Sequence, residues 1–204
     1  MFRPILVTAS ILALAACNAP EPEKAATEAV PPPVAAPDAS AAVVDANALT
    51  PAGWGNIRVG MTRAEVEAAV GPDASPESVG GADPAACDLF RPERAPDGLM
   101  VMVENGVVTS VWLSRGAKVK TDRGFGVGDQ AAAIKAAYGD AATATPHKYS
   151  SAPAEYITAW ASGGGAGYVQ NPAARGISYH IGTEGTVQYV AAGGPSIQYV
   201  EGCA

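Results

Sequence analysis

The chain is poor in the residues that most chemistry needs. It has 204 residues, with only two His and three Cys. No Cys-x-x-Cys pair accompanies them, so no zinc set is recognisable and no metal is expected. Charged residues make up 16%, with a formal net charge of −7. That argues against binding nucleic acid, which needs a basic surface. No block of like charges suggests an acidic or basic tail. No apolar run approaches the about 20 residues that a membrane-crossing helix requires. No Gly-x-Ser-x-Gly elbow accompanies His147 or His180, so a hydrolase triad lacks support. The stretch "SGGGAGY" lacks the Lys-Ser/Thr of a phosphate loop and reads as a flexible turn. Asp73, Glu77, Asp83 and Asp88 lack calcium-loop spacing. The expectation is a protein without catalytic residues, metal or cofactor.

What is present is Gly and Pro, at 23 and 17 residues. They fit many short strands joined by turns, plus an extended linker. The N-terminus reads "MFRPILVTASILALAAC": one basic residue, Arg3, an apolar stretch, then small residues. That order is that of a secretory signal over 1–16. Leu14-Ala15-Ala16-Cys17 resembles the bacterial lipobox. The resemblance implies that Cys17 carries a thioether-linked lipid and becomes the first residue of the mature chain. Each buried CH₂ contributes ~0.8 kcal/mol, so two or three acyl chains hold a protein at the membrane. Asn18, in place of the Asp that retains lipoproteins in the inner membrane, favours the outer membrane facing the periplasm.

Residues 17–50 then read as the lipidated Cys and an Ala/Pro-rich linker. Pro31-Pro32-Pro33 forbids helix. The segment has too little apolar surface to offset its ordering entropy. Fully extended, a linker of this length reaches up to ~100 Å.

Beyond it, "VGMTRAEVEAAVGPDA" from Val59 is echoed by "VGDQAAAIKAAYGDAA" from Val127. Each reads as a short helix. In the first, Thr62 and Glu65 form a capping box and Gly71-Pro72 stops the helix. In the second, Asp129 is the expected cap and Gly139 the stop. Strands follow each. "GLMVMV" and "VVTSVWL" flank Asn105-Gly106, a hairpin turn pair, and "ISYHI" and "TVQYVAA" flank "GTEG". Further strands are expected at Cys87–Phe90, Glu155–Ala161 and Ile197–Glu201, with an insertion around "ASGGGAGY". The expected class is α+β. Two tandem repeats, residues 51–120 and 121–204, each place a short helix before an antiparallel meander, and the sheet carries the helices on one face.

The helix "GMTRAEVEAAVG" with the hairpin after it resembles the tandem β-lactamase-inhibitor-protein-like fold. Small outer-membrane assembly lipoproteins of the SmpA/OmlA type share it in outline. The resemblance spans most of Trp54–Ala204. It implies a sheet face that binds a protein partner.

With Cys17 lipidated, Cys87 and Cys203 remain. Two thiols in an oxidising periplasm suggest a disulfide tying the two units together, the alternative being two buried free thiols. His180 reads as a solvated strand histidine and His147 as a turn residue. Tyrosines concentrate in the second half. Trp112, Tyr156, Trp160 and Tyr189 are candidate anchors for a protein partner on an open sheet face. The same residue types also favour cross-strand packing. The reading is a lipid-anchored periplasmic binding or scaffold module without catalytic activity, taking an envelope protein as partner. An inhibitor of a periplasmic enzyme is the alternative.

Overall fold

A computed structural model describes residues 45–77 and 81–203. Cys17, the signal sequence and most of the expected linker lie outside the described residues. The last linker residues belong to the fold. Leu49 is fully buried in the main core, and Trp54 Nε1 donates to the Asn47 carbonyl at 2.8 Å.

In chain order, β1 (Gly53–Trp54) and β2 (Ile57–Arg58) form a small antiparallel pair. Then come α1 (Arg63–Val70), β3 (Cys87–Phe90), β4 (Leu99–Glu104) and β5 (Val107–Leu113). They are followed by α2 (Ala131–Tyr138), β6 (Ala142–Pro146), β7 (Glu155–Ser162), β8 (Arg175–Ile181) and β9 (Val187–Gly193). A 3₁₀ turn at Pro195–Gln198 begins the C-terminal segment. Strands β3 to β9 make one seven-stranded sheet in the order β3-β4-β5-β9-β8-β7-β6, every neighbouring pair antiparallel.

This architecture overturns the α+β expectation of two tandem helix-plus-meander repeats. The chain is mostly β, built on a single sheet with a two-stranded accessory. The repeat signal rested on two short Ala-rich helices, and these contribute little mass. Each has eight residues and buries only two side chains, Val66 and Val70 in α1, Ala131 and Ile134 in α2. Helices of about two turns cannot form a layer of their own and depend on the sheet. The strands supply most of the core, including Leu99, Val101, Val111, Leu113, Ile157, Ile177 and Val190.

Local signals explain the elements. Thr62 Oγ1 accepts from Glu65 N–H, and Glu65 Oε2 accepts from Thr62 N–H at 2.7 Å, a complete capping box. Asn105 (φ 50°) and Gly106 (φ 80°) turn β4 into β5, both in the left-handed region that the tight hairpin requires. Asp129 does not cap α2. Its carboxylate accepts from Gly126 N–H and Lys120 Nζ, both at 2.7 Å, and Gln130 stands at the cap without a side-chain bond. The strand expected at Ile197–Glu201 is not formed. Pro195 lacks an N–H for a ladder and fits the first turn of a helix, so the 3₁₀ turn forms instead. β6, whose "ATATP" alternates small and hydroxyl side chains, was missing from the expected strands. Among the described residues no helix is long and apolar enough to cross a membrane.

Candidate functional site

The register divides the sheet into two faces. The inner face meets α1 and α2. The outer face is ordered in rows running across the strands. One row pairs Thr145 with Tyr156, Tyr156 with His180, and His180 with Tyr189. The next runs Thr143, Thr158, Ser178, Ala191, Trp112, Met100. Strand alternation puts hydroxyls on the β6–β8 half of this face and apolar side chains on the β9–β3 half.

The apolar half is covered by the chain itself. Met100, Met102, Trp112 and Ala191 pack with Ile197 of the C-terminal segment, and Leu89, Tyr199 and both remaining cysteines join them. Cys87 and Cys203 form a disulfide. Ser196 Oγ donates to Ser110 Oγ at 3.0 Å, and Tyr199 Oη donates to Glu104 Oε1 at 3.0 Å. Burial, together with the adjacent Glu104 carboxylate, pushes the Tyr199 hydroxyl up to about 12. The sheet face is therefore not open as expected. Trp112 is only 4% exposed and its Nε1 donates to Ser110 Oγ at 2.8 Å, so it is core, not a partner's anchor.

The β6–β8 half is open at Thr143 and Thr145 of the edge strand and buried at Ser178 and His180 of β8, and it forms the floor of a groove of about 240 Å³. Thr143 and Thr145 of β6, Tyr156, Thr158 and Trp160 of β7, and Ser178 of β8 line it. One wall is the loop Gly165–Tyr168, the other is Ile197 and Gln198. Gln198 fastens the two walls. Its Oε1 accepts from Val169 N–H at 2.9 Å, while its Nε2 donates to the Val169 carbonyl at 2.8 Å and the Pro195 carbonyl at 3.0 Å. Thr158 and Ser178 share a hydroxyl–hydroxyl bond at 3.1 Å.

Glycines set the position of Trp160. A Cβ at Gly176 would lie 2.7 Å from the indole Cε3, and one at Gly164 only 2.0 Å from its Cγ. The indole lies across β8 because Gly176 has no side chain. The "SGGGAGY" stretch, read as a flexible turn, packs its second glycine against that ring.

Beside the groove runs an aromatic chain. His147 stacks on Tyr156 with centroids 4.8 Å apart and planes at 22°. Tyr156 meets His180 edge-on at 4.9 Å, and His180 meets Trp112 at 5.3 Å. The expectation of a solvated His180 is corrected: it is 6% exposed. Its Nε2 has no hydrogen-bond partner among the described residues. Burial pulls its pKa down to about 4, against a bond with the Ile197 backbone and with help from His147, so the ring is neutral at ordinary pH. Among the described residues no three His, Cys, Asp or Glu side chains gather as a metal set.

Of the four aromatic candidates, the structure brings Tyr156 and Trp160 together at the groove. It leaves Tyr189 45% exposed on the same face and buries Trp112. The residues missed from the sequence are Thr143, Thr145, Thr158, Ser178 and Gln198. The alternation of "ATATP" was the available signal for the first two. No protein-family model, no curated protein and no solved structure matches the chain.

Proposed function

We propose that the chain is a lipid-anchored, non-catalytic binding module of the bacterial cell envelope, recognising its partner with the β6–β8 half of the outer face. One observation carries the reading. On that half of the face lies a walled groove whose floor joins two aromatic rings to four hydroxyl side chains. Pockets with apolar walls and a few convergent polar groups are the usual form of a binding site. Anchoring rests on the lipobox resemblance at Cys17 and the Ala/Pro-rich segment after it. Ser178 bonds to a hydroxyl and not to an imidazole, which supports recognition over nucleophilic catalysis. An enzyme inhibitor would need a broad face, and the C-terminal segment occupies half of it.

The test uses the full-length chain in cells. Wild type is expected to incorporate labelled fatty acid and Cys17→Ser to lose it. A photo-crosslinking residue at Tyr168, on the groove wall, should capture an envelope component. The same residue at Ala64, on α1, should not. Absence of fatty acid on the wild type overturns the anchor, and equal capture from both positions overturns the assigned face.

A further inference from the structure

We propose that the groove binds a neutral carbohydrate whose rings carry an apolar C–H face, as β-linked glucosyl and N-acetylglucosaminyl units do. The proposal rests on the reading of the β6–β8 half-face as the recognition surface and names its ligand.

Three features select this ligand class. First, none of the lining side chains carries a formal charge. An anionic ligand would lose its hydration and meet no cation, and a cationic one would meet no carboxylate. The neighbouring hollow beside His147 and His180 differs, since Glu184 borders it. Second, the floor's free polar groups are hydroxyls. Thr143 and Thr145 stand on the edge strand, and a hydroxyl both donates and accepts. Sugar hydroxyls do the same, so each can meet the other in either sense. A purely apolar ligand would bury these groups unpaired, which is costly.

Third, aromatic rings border the groove from two layers. Tyr156 and Trp160 rise from β7, and Tyr168 stands on the opposing loop, 66% exposed. The face of such a ring carries partial negative charge. Axial C–H groups of a sugar with equatorial hydroxyls are partly positive and present a flat apolar surface to it. Trp160 packs closely against the backbone at Gly164 and Gly176, where a Cβ would not fit, so little freedom is lost when a ring settles on it. Tyr168, on the groove lining and largely exposed, offers a second ring face to the ligand. The volume of about 240 Å³ lies below that of drug-sized sites and suits about one or two sugar rings. The remainder of a longer glycan would run out over β6, the sheet edge.

The experiment is calorimetric titration of the full lipidated chain, purified from membranes in detergent. The probes are cellotriose and chitotriose, with trigalacturonate as the anionic control. At least one neutral trisaccharide is expected to bind saturably, with a Kd between about 10 µM and 1 mM. Trigalacturonate is expected to bind at least roughly tenfold more weakly. Tyr168→Ala alters an exposed side chain and leaves the fold intact. It should weaken the neutral sugar roughly tenfold, and Trp160→Ala should weaken it further. The proposal is overturned by no saturable binding of either neutral sugar up to about 10 mM, by equal affinity for trigalacturonate, or by a Tyr168→Ala chain that binds as tightly as wild type. If the sugars fail while a crosslinker at Tyr168 still captures an envelope component, the carbohydrate assignment falls and the binding-module reading stands. If that crosslinker also captures nothing, both fall.

Discussion

Ser196 Oγ donates a hydrogen bond to Ser110 Oγ at 3.0 Å, joining the C-terminal 3₁₀ turn to the middle of β5. The same Ser110 oxygen accepts from Trp112 Nε1 at 2.8 Å. Both serines are buried, and buried polar groups persist only when partnered. This small network, with Ile197 beside it, fixes the C-terminal segment over one half of the outer face. The segment thereby decides what the other half can do, because Ile197 and Gln198 are also a wall of the groove.

The disulfide is the second fastening of that segment. Cys87 and Cys203 are 116 residues apart. In the chain-entropy account, closing a loop of this order stabilises the fold by about 4–5 kcal/mol. The double variant Cys87→Ala/Cys203→Ala should lose stability of that order in urea unfolding. It should also bind a hydrophobic dye, since Met100, Met102 and Trp112 lose part of their cover. An unchanged unfolding midpoint together with no dye binding would contradict the role given to the segment.

His180 makes stability depend on pH. Its folded pKa lies near 4, below the ordinary value of 6.5. Between those values the unfolded chain binds a proton that the folded chain refuses, so stability falls as pH drops from about 6.5 to about 4 and levels off below. The loss attributable to this group reaches about 3 kcal/mol, at 1.36 kcal/mol per unit. His147, stacked on Tyr156 beside it, opposes the charged form too. Replacing His180 with Phe removes the titrating group and keeps an aromatic ring among Trp112, Tyr156 and Tyr189. Urea midpoints at pH 7 and pH 5 should separate for wild type and converge for His180→Phe. Equal pH slopes for the two proteins would rule the mechanism out.

The sequence made the local elements legible where one residue type dictates one conformation. Thr62 with Glu65, Asn105 with Gly106, and the alternation of Cys87–Phe90 each specify their element from nearest neighbours. The global arrangement was not legible, because it depends on which strands pair across the chain. The central contact joins β5 to β9, Trp112 opposite Ala191, and nothing local encodes that pairing. The Ala-rich similarity around Val59 and Val127 marks two eight-residue helices and no architectural repeat, since the strands after both join one sheet. The groove was half legible. Its aromatics stood out, but its hydroxyls come from three strands that adjoin only in the folded sheet, and its wall is a turn that looked like a strand. His180 departs from the solvated position expected of it for a related reason: it alternates onto the outer face, yet it is buried there against Tyr156 and Trp112.

Tyr179 tests the inner core. Its side chain is fully buried, and its hydroxyl lies 3.1 Å from Thr121 Oγ1 and 3.0 Å from Tyr138 Oη. Burial drives its pKa far upward, so it stays neutral. Tyr179→Phe keeps the ring but leaves the buried Thr121 hydroxyl short of a partner, at a cost of roughly 1–3 kcal/mol. Adding Thr121→Val should recover part of that loss, because both ends of the bond are then apolar, less the cost of the Phe125 N–H, which donates to Thr121 Oγ1 at 3.2 Å. A double variant whose loss equals the sum of the singles would show that the hydroxyls do not act as a pair.

Neighbouring glycines in the groove loop should respond in opposite ways. A Cβ at Gly164 would fall 2.0 Å from Trp160 Cγ and 2.5 Å from its Cβ. These atoms sit at the root of the side chain and cannot swing aside, so either the loop or the indole must shift. At Gly165 a Cβ meets nothing within 4 Å. Gly164→Ala should therefore displace the wall carrying Tyr168, change the Trp160 fluorescence and lower stability by about 1–3 kcal/mol, the usual cost of overpacking. Gly165→Ala should leave the fluorescence unchanged and the stability within about 0.5 kcal/mol of wild type, as surface substitutions do. Fluorescence spectra and thermal unfolding of the two variants compare them directly. If Gly164→Ala behaves like Gly165→Ala, the loop does not rest on Trp160 and the groove lacks the wall assigned to it.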